Sequence, residues 1–125
     1  MKQIITSKNA PAPIGPYNQA VLANGMLFIS GQIAINPETG DMVTADIVTE
    51  TKQVMNNLSA ILTEAGMDFS NVVKSTIFVK DLNNFATVNK IYGEFFYANA
   101  PARETVEVSR LPKDANVEIS CIAVK

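Results

Sequence analysis

Residues 117–124, VEISCIAV, limit the folds open to this chain more than any other stretch. They are apolar or small at nearly every position. Successive side chains of a strand point to opposite faces, so this run predicts a strand that is buried on both faces. The fold must therefore cover both sides of the sheet that contains it.

Two other stretches carry apolar residues at helical spacing. The first starts after Asp46, which is suited to cap a helix, and ends at Gly66, where a left-handed residue would close it. Its apolar face consists of Ile47, Val54, Met55, Leu58, Ile61, Leu62 and Ala65. Three residues on this helix are predicted to face water: Glu50, Lys52 and Gln53. A second helix, capped by Asn83 or Asn84, carries Phe85, Val88, Ile91, Tyr92, Phe95 and Phe96.

Short alternating runs predict six strands around these helices, and Asn24-Gly25 between two of them is a hairpin signal. In chain order the strands are Lys2–Thr6, Tyr17–Leu22, Met26–Ser30, the run NVVKSTIFVKDL with Val73, Ser75, Ile77 and Val79 on one face, Glu104–Ser109 and Val117–Val124. The order β-β-β-α-β-α-β-β predicts a single α+β domain over residues 1–125. It is a two-layer fold with both helices on one face of a mixed β-sheet.

The second face of that sheet has no cover in this arrangement, although VEISCIAV requires one. A large exposed apolar patch is unusual in a monomer. The simplest cover in a chain of 125 residues is another copy of the same chain. The sequence therefore predicts a homo-oligomer.

Composition excludes several classes of function. The chain has no histidine, which removes the usual general base, the commonest metal ligand and any Ser-His or Cys-His pair. A net charge of -2 gives no support to nucleic-acid binding. No stretch has the length of a membrane span, the first residues lack a signal-like apolar run, and Cys121 is the only cysteine. These features predict a soluble, cytoplasmic protein without a metal.

Several motifs in a fixed order resemble the RidA/YjgF family of reactive-intermediate deaminases. They are APIGPYNQAV, LFISGQIAINPETG, VVKSTIFVKDLNNFATVN and PARETVEVSRLPKDANVEISCIAV, which together cover nearly the whole chain. The resemblance implies a chorismate-mutase-like fold and a homotrimer with clefts between neighbouring subunits. It also implies cofactor-independent hydrolysis of 2-imino acids or their enamines, such as 2-iminobutanoate and 2-iminopropanoate, to 2-oxo acids and ammonia.

The resemblance assigns the two catalytic positions to Arg103 and Glu118. A guanidinium matches a carboxylate with two parallel hydrogen bonds and stays charged, which suits Arg103 to hold the substrate carboxylate. Glu118 would orient or deprotonate the attacking water and later help to protonate the leaving nitrogen. The structural alternatives are a structural or interface ion pair of Arg103 with Glu107 or Glu118, and an outward-facing strand glutamate at position 118.

Five further positions are implied to bind substrate: Tyr17 in IGPY, Ser30 and Gly31 in SGQ, Asn89 on the second helix, and Thr105 after PAR. Tyr17 would offer its hydroxyl or shape the pocket, and glycine at 31 permits close approach of the backbone. Ordinary packing explains Tyr17 equally, a strand end with a turn explains Ser30 and Gly31, and an exposed helix residue explains Asn89. Thr105 would contribute mainly its backbone groups.

Two departures from the family pattern bear on specificity. Glu104-Thr105 follows PAR where many members have Ser-Cys or Ser-Thr, and the segment FFYANAPAR is short for the family. Strand alternation predicts that Glu104 points away from Arg103 and its ligand. The family also includes non-catalytic regulators and proteins credited with RNA cleavage. The alternative to the enzyme is thus a trimer that senses small 2-oxo or amino acids, whereas the missing histidine argues against a nuclease.

Overall fold

The computed structural model describes residues 1–125 and contains six strands and two helices in the predicted order. The elements are β1 (Gln3–Ile5), β2 (Ala20–Ala23), β3 (Met26–Gln32), α1 (Ile47–Glu64), β4 (Val72–Val79), α2 (Phe85–Gly93), β5 (Ala102–Glu107) and β6 (Val117–Val124). The α+β prediction is confirmed.

All strands belong to one mixed sheet with the order β1-β2-β3-β6-β4-β5. Strands β4 and β5 are parallel, and every other neighbouring pair is antiparallel. The last strand of the chain therefore lies inside the sheet, between β3 and β4. Its alternate residues Val117, Ile119, Cys121 and Ala123 are buried in the main hydrophobic core. This position explains why the run VEISCIAV is so apolar.

Helix α1 begins and ends at the predicted signals. The Asp46 side chain accepts a hydrogen bond from the Thr49 N–H, and Gly66 has a φ of 73° just beyond the last turn. The predicted apolar face packs into the core, including Val54, Met55 and Leu58. The prediction that Glu50 faces water is wrong, because its side chain is fully buried and bonded to Asn116.

Helix α2 is shorter than predicted, because it ends at Gly93 and leaves Phe95 and Phe96 outside. Those two rings still pack against the core and contact Phe69. Asn84 occupies the capping position but makes no capping hydrogen bond with its side chain. The side-chain cap is instead Asp81, which begins a short 3-10 turn that runs directly into the helix.

Several strand boundaries and the burial pattern at the start of β4 also differ from the prediction. Strand β2 starts at Ala20, so Tyr17 lies in the connector before it, and β5 covers Ala102–Glu107 instead of 104–109. In β4 the register with β6 shifts between Val72 and Lys74, which buries Val72 and exposes Val73. The alternation from Ser75 to Val79 is as predicted.

One face of the sheet lies under α1 and α2, and the other has much less cover within the chain. On β6 this second face carries Glu118, Ser120, Ile122 and Val124, all half-buried. Phe28 on β3 and Val106 on β5 are exposed there. We call this surface the open face. None of the helices has the length and apolar character needed to cross a membrane.

Candidate functional site

The predicted site residues form two separate groups in one chain. Tyr17, Ser30, Gly31 and Glu118 line a cavity of about 400 Å³. Arg103 and Thr105 line a second cavity of about 320 Å³, together with Leu82 and Phe85. Asn89 belongs with this second group because it is bonded to Arg103. We call these groups the glutamate cavity and the arginine cavity.

The two groups lie on opposite faces of the sheet. Arg103 pairs with Ser75 on the neighbouring strand, and Ser75 is fully buried under the helices. Glu118 pairs with Phe78, which is an odd number of positions from Ser75 and so points to the open face. A single chain therefore does not bring the guanidinium of Arg103 to the carboxylate of Glu118.

Arg103 is held by helix α2. Its guanidinium carbon lies 5.1 Å from the centre of the Tyr92 ring and 5.6 Å from that of Phe85. One of its nitrogens, Nη1, donates a 2.7 Å hydrogen bond to Oδ1 of Asn89. The chain's ion pairs do not include Arg103. The alternative of a structural ion pair is thus not realised within one chain, and the remaining N–H groups can bind an anion.

Glu118 is a half-buried carboxylate without a hydrogen bond or ion pair inside the chain. Burial raises the pKa of its carboxyl group above the ordinary value. A carboxyl group in a cavity with a raised pKa is a candidate for accepting and donating protons. Glu118 does face outward from the helix layer within one chain, as the structural alternative has it, but its side chain is half-buried.

Gly31 leaves the space that the Glu118 side chain occupies. A Cβ at position 31 would lie 2.7 Å from Oε2 of Glu118 and 2.8 Å from its Cδ. The register between β3 and β6 also shifts between Ile29 and Gln32, so Ser30 and Gly31 form an irregularity in the strand. The approach of the Gly31 backbone to a ligand stays a prediction, and the group that lies close to Gly31 in the structure is the Glu118 side chain.

Ser30 and Tyr17 are tied to the connector before β2. The Ser30 hydroxyl donates to the Asn18 carbonyl at 2.7 Å, and its N–H donates to the Gln19 carbonyl at 2.9 Å. The Ile14 N–H donates to the Tyr17 hydroxyl oxygen at 3.3 Å, and the Tyr17 side chain remains largely exposed. Both side chains border the glutamate cavity, where a ligand can reach them.

The two residues that follow PAR, Glu104 and Thr105, have different surroundings. Glu104 points to the open face, as predicted, where Lys74 lies 2.9 Å from one carboxylate oxygen and the Thr76 hydroxyl donates to the other. The Lys74 contact lowers the pKa of Glu104, so this residue stays ionised away from Arg103. Thr105 has a buried hydroxyl with no hydrogen-bond partner, so it can contribute more than its backbone.

Sequence reasoning missed several residues that shape the two cavities. The buried Gln19 amide donates to the carbonyls of Ser7, Ala10 and Pro11 and so fixes one wall of the glutamate cavity. Phe85 and Tyr92 were assigned only to the core, although their spacing of four and three residues around Asn89 places all three on one helix face. The chain has no cluster of three possible metal ligands. Burial raises the pKa of the Cys121 thiol to about 11, so this thiol is unreactive.

Comparison with known proteins agrees with the fold and the motifs. Residues 7–125 match the protein family described as Endoribonuclease L-PSP. A RutC family protein from Synechocystis sp. is 56% identical over 124 residues, which cover 98% of this chain and 95% of that protein. The human 2-iminobutanoate/2-iminopropanoate deaminase is 43% identical over 125 residues, which cover 100% and 91%. The structure of E. coli TdcF with bound serine superimposes with a TM-score of 0.94 at 43% identity, covering 98% of each chain.

Proposed function

The chain belongs to the Endoribonuclease L-PSP family, which includes the RidA deaminases, and from this premise we propose that it hydrolyses 2-imino acids to 2-oxo acids and ammonia. The human and Arabidopsis thaliana relatives carry deaminase names, the latter as Reactive Intermediate Deaminase A. The expected substrates are 2-iminobutanoate, 2-iminopropanoate and their enamines. The proposed reaction is the hydrolysis of a C–N bond, and it uses no metal or cofactor.

The observation that carries this proposal is the division of the predicted site into two complementary parts. The arginine cavity offers an unpaired cation, and the glutamate cavity offers a carboxyl group with a raised pKa. A small imino acid needs both, one for its carboxylate and one for its reacting carbon. We infer that neighbouring chains of a homotrimer join the two cavities, so that Arg103 of one chain faces Glu118 of the next.

The proposed chemistry is simple. Arg103 binds the substrate carboxylate through two parallel hydrogen bonds and fixes the imine carbon against the glutamate cavity. The Glu118 carboxylate takes a proton from water as the water oxygen bonds to that carbon. The C=N electrons move to nitrogen, and Glu118 passes the proton to that nitrogen, which gives a carbinolamine. The hydroxyl proton of the carbinolamine is then transferred through Glu118 to nitrogen as the C=O bond forms, the C–N bond breaks, and ammonia leaves with the bonding electrons. Nitrogen thus receives both protons of the water, and no electrons are exchanged with any other group.

The other predicted residues take supporting roles in this proposal. Tyr17 and Ser30 would hydrogen-bond water or substrate from the rim of the glutamate cavity, and Gly31 would keep room for Glu118. Thr105 would donate its free hydroxyl beside Arg103, and Asn89 would hold one guanidinium nitrogen. A trimer that uses its open faces for assembly needs neither membrane nor nucleic acid, and we place it in the cytoplasm.

A second candidate is a sensor that binds small 2-oxo or amino acids without turnover. The bound serine in E. coli TdcF favours it, because serine is a stable amino acid. The retained Glu118 cavity favours catalysis, since binding a carboxylate requires only Arg103. RNA cleavage, which the family description names, has no support from a chain with a net charge of -2 and no histidine.

The direct test is to generate imines in situ with an amino-acid oxidase and to follow their decay to the 2-oxo acid and ammonia. We expect wild-type protein to accelerate the decay, and Arg103→Ala to lose a factor of roughly 100 or more. The matched control is Arg110→Ala, since Arg110 is the only other arginine and lies exposed beside Asp114. Binding of a 2-oxo acid without faster imine decay would reject the enzyme in favour of the sensor.

A further inference from the structure

Helix α2 presents three side chains to the guanidinium of Arg103. Phe85, Asn89 and Tyr92 follow each other at intervals of four and three residues, which places them in one stripe on a helix. The two rings lie 5.6 and 5.1 Å from the guanidinium carbon, and Asn89 accepts its Nη1 hydrogen at 2.7 Å. The cation is thus held by two aromatic surfaces and one hydrogen bond, all from the same element.

The Tyr92 ring is itself fixed from behind. Only 5% of the residue is exposed, and its hydroxyl donates a 3.0 Å hydrogen bond to the buried hydroxyl of Ser75. The Phe96 ring packs against it at a centroid distance of 4.7 Å. Tyr92 therefore cannot turn away without breaking a buried hydrogen bond and leaving a gap in the core.

A fixed guanidinium matters because an arginine side chain is long and flexible. Ligand binding restricts the rotation of this side chain and so costs conformational entropy. A guanidinium plane in the wrong orientation also prevents two parallel hydrogen bonds to a carboxylate. Aromatic rings attract the cation over their faces without using any of its N–H groups. The two rings of α2 can therefore keep the guanidinium plane in one orientation while its N–H groups remain available to bind an anion.

We propose that Phe85 and Tyr92 are positioning residues that orient Arg103 for a small carboxylate ligand. This inference rests on the proposed role of Arg103 as the carboxylate clamp. It does not require hydrolysis, because the clamp would act in the same way in a sensor. Neither ring is expected to contact the reacting carbon.

The positioning role predicts a particular kinetic signature. The clamp holds the carboxylate equally in the ground state and the transition state, so its loss should raise KM and leave kcat nearly unchanged. For removal of one ring we expect KM for an imino acid, and Kd for the stable probe 2-oxobutanoate, to rise by about tenfold. A ring that serves only the fold would instead lower the melting temperature and the active fraction, without changing the Kd of folded protein.

The experiment compares Phe85→Leu, Tyr92→Leu and Tyr92→Phe by calorimetric titration with 2-oxobutanoate and by imine decay. Phe85→Leu is the main variant, because Phe85 is only half-buried and its replacement should fold. Tyr92→Phe keeps the ring and should restore a near wild-type Kd relative to Tyr92→Leu. The control is Phe69→Leu, which removes a ring of the same aromatic cluster that does not contact Arg103.

A second comparison tests whether the rings act through Arg103. In an Arg103→Lys background the planar fork is absent, so adding Phe85→Leu should change the Kd by less than about twofold. Equal effects of Phe85→Leu in both backgrounds, or unchanged Kd values for Phe85→Leu and Tyr92→Leu, would overturn the positioning role. If wild-type protein binds 2-oxobutanoate with the predicted pattern but hydrolyses no imine, only the proposed enzyme fails. If it binds no 2-oxobutanoate at all, both proposals fail.

Discussion

A shared cleft can be tested by mixing two inactive variants. Arg103→Ala removes the clamp, and Glu118→Gln removes the proton acceptor, so each variant alone should have little activity. Within one chain the two residues point to opposite faces of the sheet, so a site that uses both must draw them from different chains. Mixed assemblies should then contain some clefts in which both residues are intact.

The size of the recovery follows from counting. In a closed ring, each cleft takes Arg103 from one chain and Glu118 from its neighbour. In an equal random mixture, the first chain carries Arg103 half of the time, and its neighbour carries Glu118 half of the time. The mixture should therefore recover about one quarter of the wild-type kcat/KM per cleft, whatever the number of subunits in the ring.

The assay is imine decay after co-expression of differently tagged chains, with mixed oligomers identified by native mass spectrometry. The control mixture combines Glu118→Gln with a double variant that carries both substitutions, so none of its clefts has an intact Glu118. Mixed oligomers that remain as inactive as the separate variants would refute the shared cleft. Activity that scales with mixed oligomers, and is absent from the control mixture, is the expected result.

Three further predictions concern Glu118, Gly31 and Glu50. First, kcat/KM should fall as pH drops through the raised pKa of Glu118, because only the ionised carboxylate accepts a proton. Glu118→Gln should abolish this acid limb in a pH profile that is corrected for uncatalysed decay. Second, Gly31→Ala places a Cβ 2.7 Å from Oε2 of Glu118, so kcat should fall on the order of 100-fold while the melting temperature changes little. A normal kcat would mean that the position of this carboxylate is unimportant. Third, Glu50→Ala removes the acceptor of two Asn116 hydrogen bonds at 2.7 and 2.8 Å and should lower the free energy of unfolding in urea by about 3 kcal/mol or more, whereas exposed Glu64→Ala should have little effect.

The order of elements could be predicted because each one follows a local rule. The Asp46 cap, the left-handed Gly66 and the apolar run of β6 all depend on neighbours within a few residues. Boundaries were wrong where a distant contact decides them. Val72 replaces Val73 in the core because the register with β6 shifts there, and no local pattern contains that information.

Glu50 shows why a periodic pattern can mislead. The helical period assigns the residue to a polar face, and a glutamate without a partner would stay in water. Its partner is Asn116, which lies 66 positions away in sequence and offers both its backbone N–H and its side-chain amide. Two hydrogen bonds to one carboxylate make the burial of that charge tolerable, and only the folded chain brings them together.

The motifs name the candidate site residues, but they do not predict that these residues divide between the two faces of the sheet. Motifs give the identity of Arg103 and Glu118 without the direction of either side chain. That direction depends on the register of three strands, β6, β4 and β5, in which Glu118 pairs with Phe78 and Arg103 with Ser75. Phe85 and Tyr92 were missed for the same reason, since apolar rings on a helix usually belong to the core.

The helix layer also supports the cavity on the other side of the sheet. The buried Asn57 amide of α1 donates to the carbonyls of Ile33 and Ile35, and both of these residues line the glutamate cavity. Glu50, two helical turns earlier, holds the segment that follows Pro112, another residue of the cavity wall. Helix α1 thus fixes the walls around Glu118, while α2 fixes Arg103. Each helix thus fixes one group of the predicted site residues, and the two groups face opposite ways. Under the proposed function, a second copy of the chain would bring the two groups together.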